Sequence, residues 1–185
     1  MRAFSAILGV VSAFSLLACA HEPVSKLQDN KVNDLVGDEP ERGRSLFDII
    51  TMQRNSTGSF EQDVAFPFTK LRSVIEAQSL TPALVTMLPR GRSLQRNATD
   101  QPFNFPRIVM AVTGEARQAS NTLGLLLKDR LYVGYVEAAN QLEVISFNAD
   151  AGRFEFQLVE NYQEGKKPIV KYANRSFCLS CHQNA

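Results

Sequence analysis

Close to its end the chain reads FCLSCHQNA. Two thiols, Cys178 and Cys181, stand three positions apart, and His182 follows at once. At that spacing both sulfurs reach the two vinyl groups of one haem and form thioethers, and the next residue comes to lie under the iron. The five positions together predict one covalent haem c, with Cys178 and Cys181 as its attachment points and His182 as proximal iron ligand. Only Gln183, Asn184 and Ala185 come after the histidine. Two arrangements satisfy that constraint. Either the residues before the motif build the pocket, or the chain is the N-terminal part of a longer protein that completes it.

Three rival chemistries use the same residues. A structural disulfide between Cys178 and Cys181 would need no histidine after it, but an oxidising compartment allows one. A thioredoxin-like dithiol would open a helix with more sheet still to come. Structural zinc wants four nitrogen or sulfur ligands. Besides Cys19, the chain holds only Cys178, Cys181, His182 and the remote His21 to supply them.

The other end of the chain gives the compartment. MRAFSAILGVVSAFSLLACA begins with a positive Arg2 and continues uncharged from Ala3 to Ala18. That run falls short of the roughly 20 apolar residues of a membrane-spanning helix and has the make-up of a secretion signal. Leu16-Leu17-Ala18-Cys19 resembles the lipobox of bacterial lipoproteins. The resemblance implies cleavage after residue 18 and acylation of Cys19, and multiple acyl chains make such an anchor stable. By similarity to enterobacterial lipoproteins, Ala20 rather than aspartate after the cysteine favours the outer membrane. The mature protein then faces the periplasm.

Loss of residues 1–18 removes one arginine and no acid. Lys plus Arg falls from 20 to 19 against 19 Asp plus Glu, a net charge of zero. A neutral chain with scattered charges lacks the basic footprint of nucleic-acid binding. The partners expected are a membrane, through lipid at Cys19, and a redox protein.

Residues 19–43 are polar, carry two prolines and two glycines, and read as a flexible tether. His21 falls in it and reads as a solvated linker residue. Residues 44–185 read as one α+β domain, with short N-terminal helices, an antiparallel β-meander, and the haem motif at the C-terminal end. SLFDIITMQR has helical spacing with Ser45 as cap, and TKLRSVIEAQSL places Leu71, Val74 and Ile75 on one face. MLPRGRSLQRNATDQPFNFP reads as a surface loop. RIVMAV, LYVGYVE, QLEVISF, RFEFQLVE and PIVKY read as strands. In RFEFQLV, Phe154, Phe156 and Leu158 share one face, and Glu155 and Gln157 share the other.

Sheet followed by CxxCH resembles the cytochrome c-prime-beta group and its hydroxylamine-oxidising relatives, in which haem rests on an antiparallel sheet. FCLSCHQNA is similar to the CxxCHQN segment of uncharacterised exported proteobacterial haem proteins, whose chains continue well past the motif. For the sixth ligand the mature methionines are Met52, Met87 and Met110. Met52 and Met110 read as core. Met87, placed in a loop before Leu88-Pro89, is the distal candidate, and a vacant position is the alternative to it.

No catalytic base or nucleophile stands out. The leading expectation is a lipid-anchored c-type haem protein that transfers electrons outside the cytoplasm. An open-site haem enzyme or gas sensor acting on a small nitrogen or oxygen species is the second reading. A haem-free lipoprotein with a Cys178–Cys181 disulfide is the third. The two cysteine chemistries share no residue. Cys19→Ser is therefore expected to abolish palmitate incorporation and release the protein from the membrane fraction while leaving haem attachment intact. Membrane retention without label in the unmutated chain would refute the lipobox reading.

Overall fold

The computed structural model describes residues 35–37, 39–79, 82–88, 93–113 and 127–182. The leader, Cys19, His21, the first part of the expected tether and Gln183–Ala185 lie outside the described residues. What is described is mostly antiparallel β-sheet with few helices.

Helix α1, Leu46–Thr51, leads into a small hairpin of β1, Met52–Arg54, and β2, Phe60–Gln62. Helix α2, Phe68–Glu76, comes next. The main sheet follows as β3, Leu84–Leu88; β4, Arg107–Ala111; β5, Leu131–Val136; β6, Gln141–Asn148; β7, Arg153–Glu160; and β8, Ile169–Tyr172. The six strands lie side by side in chain order, each antiparallel to the next. Helix α3, Arg175–Leu179, closes the described chain.

The pleat separates two faces. On β6, Leu142, Val144, Ser146 and Asn148 are buried while Glu143, Ile145 and Phe147 are only half-buried. The first face is sealed by α1 and α2. Phe47, Leu71 and Ile75 are fully buried there against Leu131, Val133 and Leu142. Phe68 stacks on Tyr135 with ring centroids 5.0 Å apart. Each fully buried large side chain of this kind contributes about 1.5–3 kcal/mol. Helix α1 is too short to persist alone. Its cap is Ser45 Oγ, which accepts from Asp48 N at 3.1 Å, and its remaining hold on the sheet is polar. Asp48, almost fully buried, accepts from Gln157 Nε2 of β7 at 2.8 Å, from Gln62 Nε2 of β2 at 2.8 Å, and from the Tyr172 hydroxyl of β8. Ser45 Oγ in turn donates to Gln157 Oε1 at 2.8 Å.

That network decides which face of β7 is covered: Glu155 and Gln157, on one face as the alternation predicts, lie on the helix-covered side and are buried. The apolar Phe154, Phe156 and Leu158 lie on the other face. Two boundaries also move. Leu84–Leu88, of which Met87 and Leu88 were placed in the loop that follows, forms edge strand β3, paired from Leu84↔Ala111 to Leu88↔Arg107. A five-residue run that needs only one partner leaves little signal beside a Pro- and Arg-rich stretch. And Leu35–Gly37, inside the stretch read as tether, is bound to the sheet. Gly37 N donates to Tyr172 O at 2.9 Å, Asn174 N donates to Leu35 O at 2.7 Å, and Val36 bridges Ala173. A Cβ on Gly37 would stand 2.7 Å from Ala173 O, so only glycine fits that approach.

Asp48→Ala takes the acceptor from the Tyr172 hydroxyl and the buried Gln157 amide, while Gln62 Nε2 keeps Thr51 Oγ1 at 3.2 Å. A loss of about 3 kcal/mol in unfolding free energy is expected, read as a lowered urea midpoint with unchanged slope. A change below about 0.5 kcal/mol, the size of an ordinary surface substitution, would show that the network does not hold α1.

Candidate functional site

The face of the sheet opposite α1 and α2 carries a cleft of about 400 Å³, within the range of small-molecule sites. Its floor follows the pleat. The rung Val109–Gly134–Glu143–Leu158 lies beside the rung Tyr132–Ile145–Phe156. Leu88 and Leu94 stand at one side, and Cys178, Cys181 and His182 at the other. From β3 to β7 is four strand spacings, about 19 Å, so the cleft is broad as well as apolar.

Helix α3 delivers the motif, and five residues cannot hold a helix unaided. Three local features fix it. Asn174 caps it, its Oδ1 accepting from Ser176 N at 3.0 Å and Phe177 N at 3.4 Å, an arrangement that contributes about 1 kcal/mol. The residue before the cap is pinned to β7, Ala173 N donating to Phe156 O at 2.8 Å. Arg175 donates to Phe154 O, and its guanidinium carbon lies 5.8 Å from the centre of the Phe156 ring. Beyond α3 the backbone keeps turning. Cys181 N and His182 N both donate to Cys178 O, at 3.1 and 3.0 Å. That tight turn brings Cys178, Cys181 and His182 to the same cleft.

Their surroundings differ. Cys178 is half-buried and packs with Leu179 and Leu35 against the Phe156, Leu158 and Ala173 cluster. Burial, then the Glu143 carboxylate and Cys181, push its thiol up to about 11. Cys181 and His182 are exposed. The His182 ring sits 5.7 Å from the Phe156 ring, tilted by 40°. An electron-pair donor beside an aromatic floor, with two thiols at the rim, can hold a planar metal-bearing ring. A buried thiol that resists ionisation is a poor redox nucleophile, since dithiol exchange needs a depressed pKa. Among the described residues no three His, Cys, Asp or Glu side chains are grouped as a metal-ion cage requires.

The structure does not bring Met87 to this cleft. Met87 pairs with Ile108, whereas its neighbour Leu88 pairs with Arg107 on the cleft side. A one-residue offset on a strand puts a side chain on the opposite face, so the parity of β3 places Met87 away from the cleft that holds Cys178, Cys181 and His182. Met110 is buried in the core of that other face, and Met52 lies in the small hairpin.

Sequence reasoning missed the polar end of the cleft. Glu143 accepts from Ser93 Oγ at 3.0 Å, Gln95 N at 3.1 Å and Arg107 Nη2 at 3.2 Å. Gly134 lies beside the pair, and a Cβ there would make ordinary contacts with Glu143 Oε2 at 3.4 Å and Arg107 Nη2 at 3.6 Å. Arg107 Nε is buried and has no acceptor. One signal was available. In QLEVISF, Glu143 shares its parity with Ile145 and Phe147, which makes it a lone carboxylate on an otherwise apolar face. No protein-family model, curated protein or solved structure matches this chain.

At pH 8, a free thiol with a pKa of about 11 is about one-thousandth thiolate. Cys181 is therefore expected to alkylate with iodoacetamide well before Cys178, and Cys178 is expected to speed up about tenfold per pH unit until near pH 11. Peptide mass spectrometry reads both rates. Equal rates at pH 8 would show that Cys178 is not buried as described.

Proposed function

We propose that this chain is a lipid-anchored c-type haem protein that carries electrons outside the cytoplasm. The carrying observation is that Cys178, Cys181 and His182, adjacent in sequence for one known chemistry, line one broad apolar cleft on the open face of a sheet. The residues there fit a haem. Tyr132, Ile145, Phe156 and Leu158 offer an apolar floor, and among the described residues the charged side chains on the lining are Arg107 and Glu143, at the end away from His182. The C-terminal placement of the motif, after the meander, is the order that the resemblance to the cytochrome c-prime-beta group implies.

Cys178 and Cys181 would hold the haem through thioethers, and His182 would supply a ring nitrogen to its iron. The apolar floor excludes water from the covered side, and Asn174 and Ala173 hold the attachment turn still. Bound haem supplies an iron that cycles between ferrous and ferric states, with a potential set by ligation and burial. The exposed side of the motif, at Cys181 and His182, is where a redox partner protein would approach.

A second reading is favoured by one observation. Among the described residues, the cleft is lined by no methionine and by no histidine besides His182. An open sixth position, with the capacity to bind a small nitrogen or oxygen species, is consistent with that lining.

Expression with a haem-attachment system, then haem staining of a denaturing gel, tests the main reading. The unmutated band is expected to stain, and Cys178→Ser/Cys181→Ser is expected to lose the stain at equal expression. A colourless unmutated band would sink the haem reading and promote the disulfide. Carbon monoxide then separates the two functions. Rapid uptake by the ferrous protein is expected from an open position, whereas a low-spin ferrous spectrum that ignores the gas would return the protein to the pure carrier class.

A further inference from the structure

Arg107 stands apart from every other cation of the described chain in one respect. It lines the cleft, and its Nε is buried without a hydrogen-bond partner. Its Nη2 is already engaged with Glu143. Glu143 is itself well supplied, with Ser93 Oγ and Gln95 N as further donors. The guanidinium therefore has a spare, desolvated donor, and a buried donor of a charged group without an acceptor is costly. An anionic acceptor answers it best, because guanidinium–carboxylate bonds are among the strongest a protein makes.

The place of that donor matches the chemistry of the proposed cofactor. A haem carries its two vinyl groups on one edge and its two propionate carboxylates on the opposite edge. Thioethers to Cys178 and Cys181 hold the vinyl edge at α3, beside β7. The carboxylate edge then points across the sheet, away from α3. Arg107 lies on β4, three strands from β7, or about 14 Å at the usual strand spacing. Between them Gly134 presents no side chain to the cleft.

We infer that Arg107 is a carboxylate-binding residue whose guanidinium receives a haem propionate at the β4 end of the cleft, with Glu143 holding the guanidinium in place. This inference rests on the haem reading above. It assigns a role to a residue outside the attachment motif and fixes which edge of the ring is buried at the β4 end of the cleft.

The test uses the full chain loaded with haem. The variants are Arg107→Gln, Arg107→Lys and Glu143→Gln, with Arg72→Gln on α2 as a control. Three readouts are taken: covalent haem stain, the propionate bending mode in resonance Raman spectra, and the reduction potential. Arg107→Gln is expected to keep its covalent haem, because thioethers do not depend on Arg107. Its propionate mode is expected to shift. Loss of a positive charge beside the carboxylate is expected to favour the ferric state about tenfold, a fall of about 59 mV for a one-electron couple. Arg107→Lys is expected to recover most of the potential but not the mode, because an ammonium lacks the planar fork. Glu143→Gln keeps an amide acceptor for Nη2 and is expected to shift the mode by less than Arg107→Gln does. Arg72→Gln is expected to change neither.

An unchanged propionate mode in stained Arg107→Gln protein would overturn the inference while leaving the haem reading intact. So would a shift of equal size in Glu143→Gln, which would make Arg107 only a partner of that carboxylate. If Arg107→Gln does not accumulate, Arg107→Lys decides by the same mode. A free anion is distinguished by titrating the unmutated haem protein with sodium acetate at constant ionic strength. No spectral or potential response is expected when a propionate holds the donor, and a response that Arg107→Gln abolishes would overturn the propionate assignment. A colourless unmutated protein would remove the haem reading and this inference together, an outcome that the stain alone identifies.

Discussion

Asp48 ties together four parts of the chain. Its carboxylate accepts from β2, β7 and β8 while its own helix is capped by Ser45. Tyr172 is the last residue of β8, two positions before the cap of α3. The carboxylate that holds α1 down therefore also sets where β8 ends and where the attachment motif begins. Burying a carboxylate costs several kcal/mol unless donors replace its water, and here three side chains replace it. The arrangement holds only while all of them are present, which couples the sealed face of the sheet to the geometry of the other.

The two faces divide the work. One face buries Phe47, Leu71 and Ile75 and supplies the stability. The other leaves Tyr132, Ile145, Phe156 and Leu158 along a cleft. Helix α3 covers part of that second face, Cys178 and Leu179 packing on Phe156 and Leu158, and the rest of it lines the cleft, the kind of apolar surface that marks binding sites. Cys178 belongs to the small apolar cluster at its edge, and Leu35 of the incoming chain belongs to it too. The segment that leads from the N-terminal region is thus packed directly behind the attachment turn.

Residue parity explains most of the differences between expectation and structure. Met87 and Leu88 are neighbours in sequence, yet only Leu88 faces the cleft, because β3 pairs Leu88 with Arg107. Gln157 is buried, because α1 brings Ser45 and Asp48 onto that side. Composition cannot tell which face of an amphipathic strand is covered when the covering element is itself polar. The strands β4 to β8 were legible as β-branched and aromatic runs between turns. Strand β3 was not, since an edge strand of five residues beside prolines and arginines leaves little periodic signal.

The sequence by itself determined the attachment chemistry expected of Cys178, Cys181 and His182, because thioether formation depends on spacing along the chain and on little else. It also carried the pattern from which an export signal and a lipobox at Cys19 are expected, since such signals are read before any fold exists. Only the tertiary structure decided what the motif faces. Arg107, Gly134, Glu143 and Phe156 come from four strands spread over some fifty residues and meet only because the sheet is laid down in chain order and in one register. Register is a property of pairing between distant segments, and shifting any strand by one residue would send its side chains to the opposite face. No local pattern in the chain carries that information.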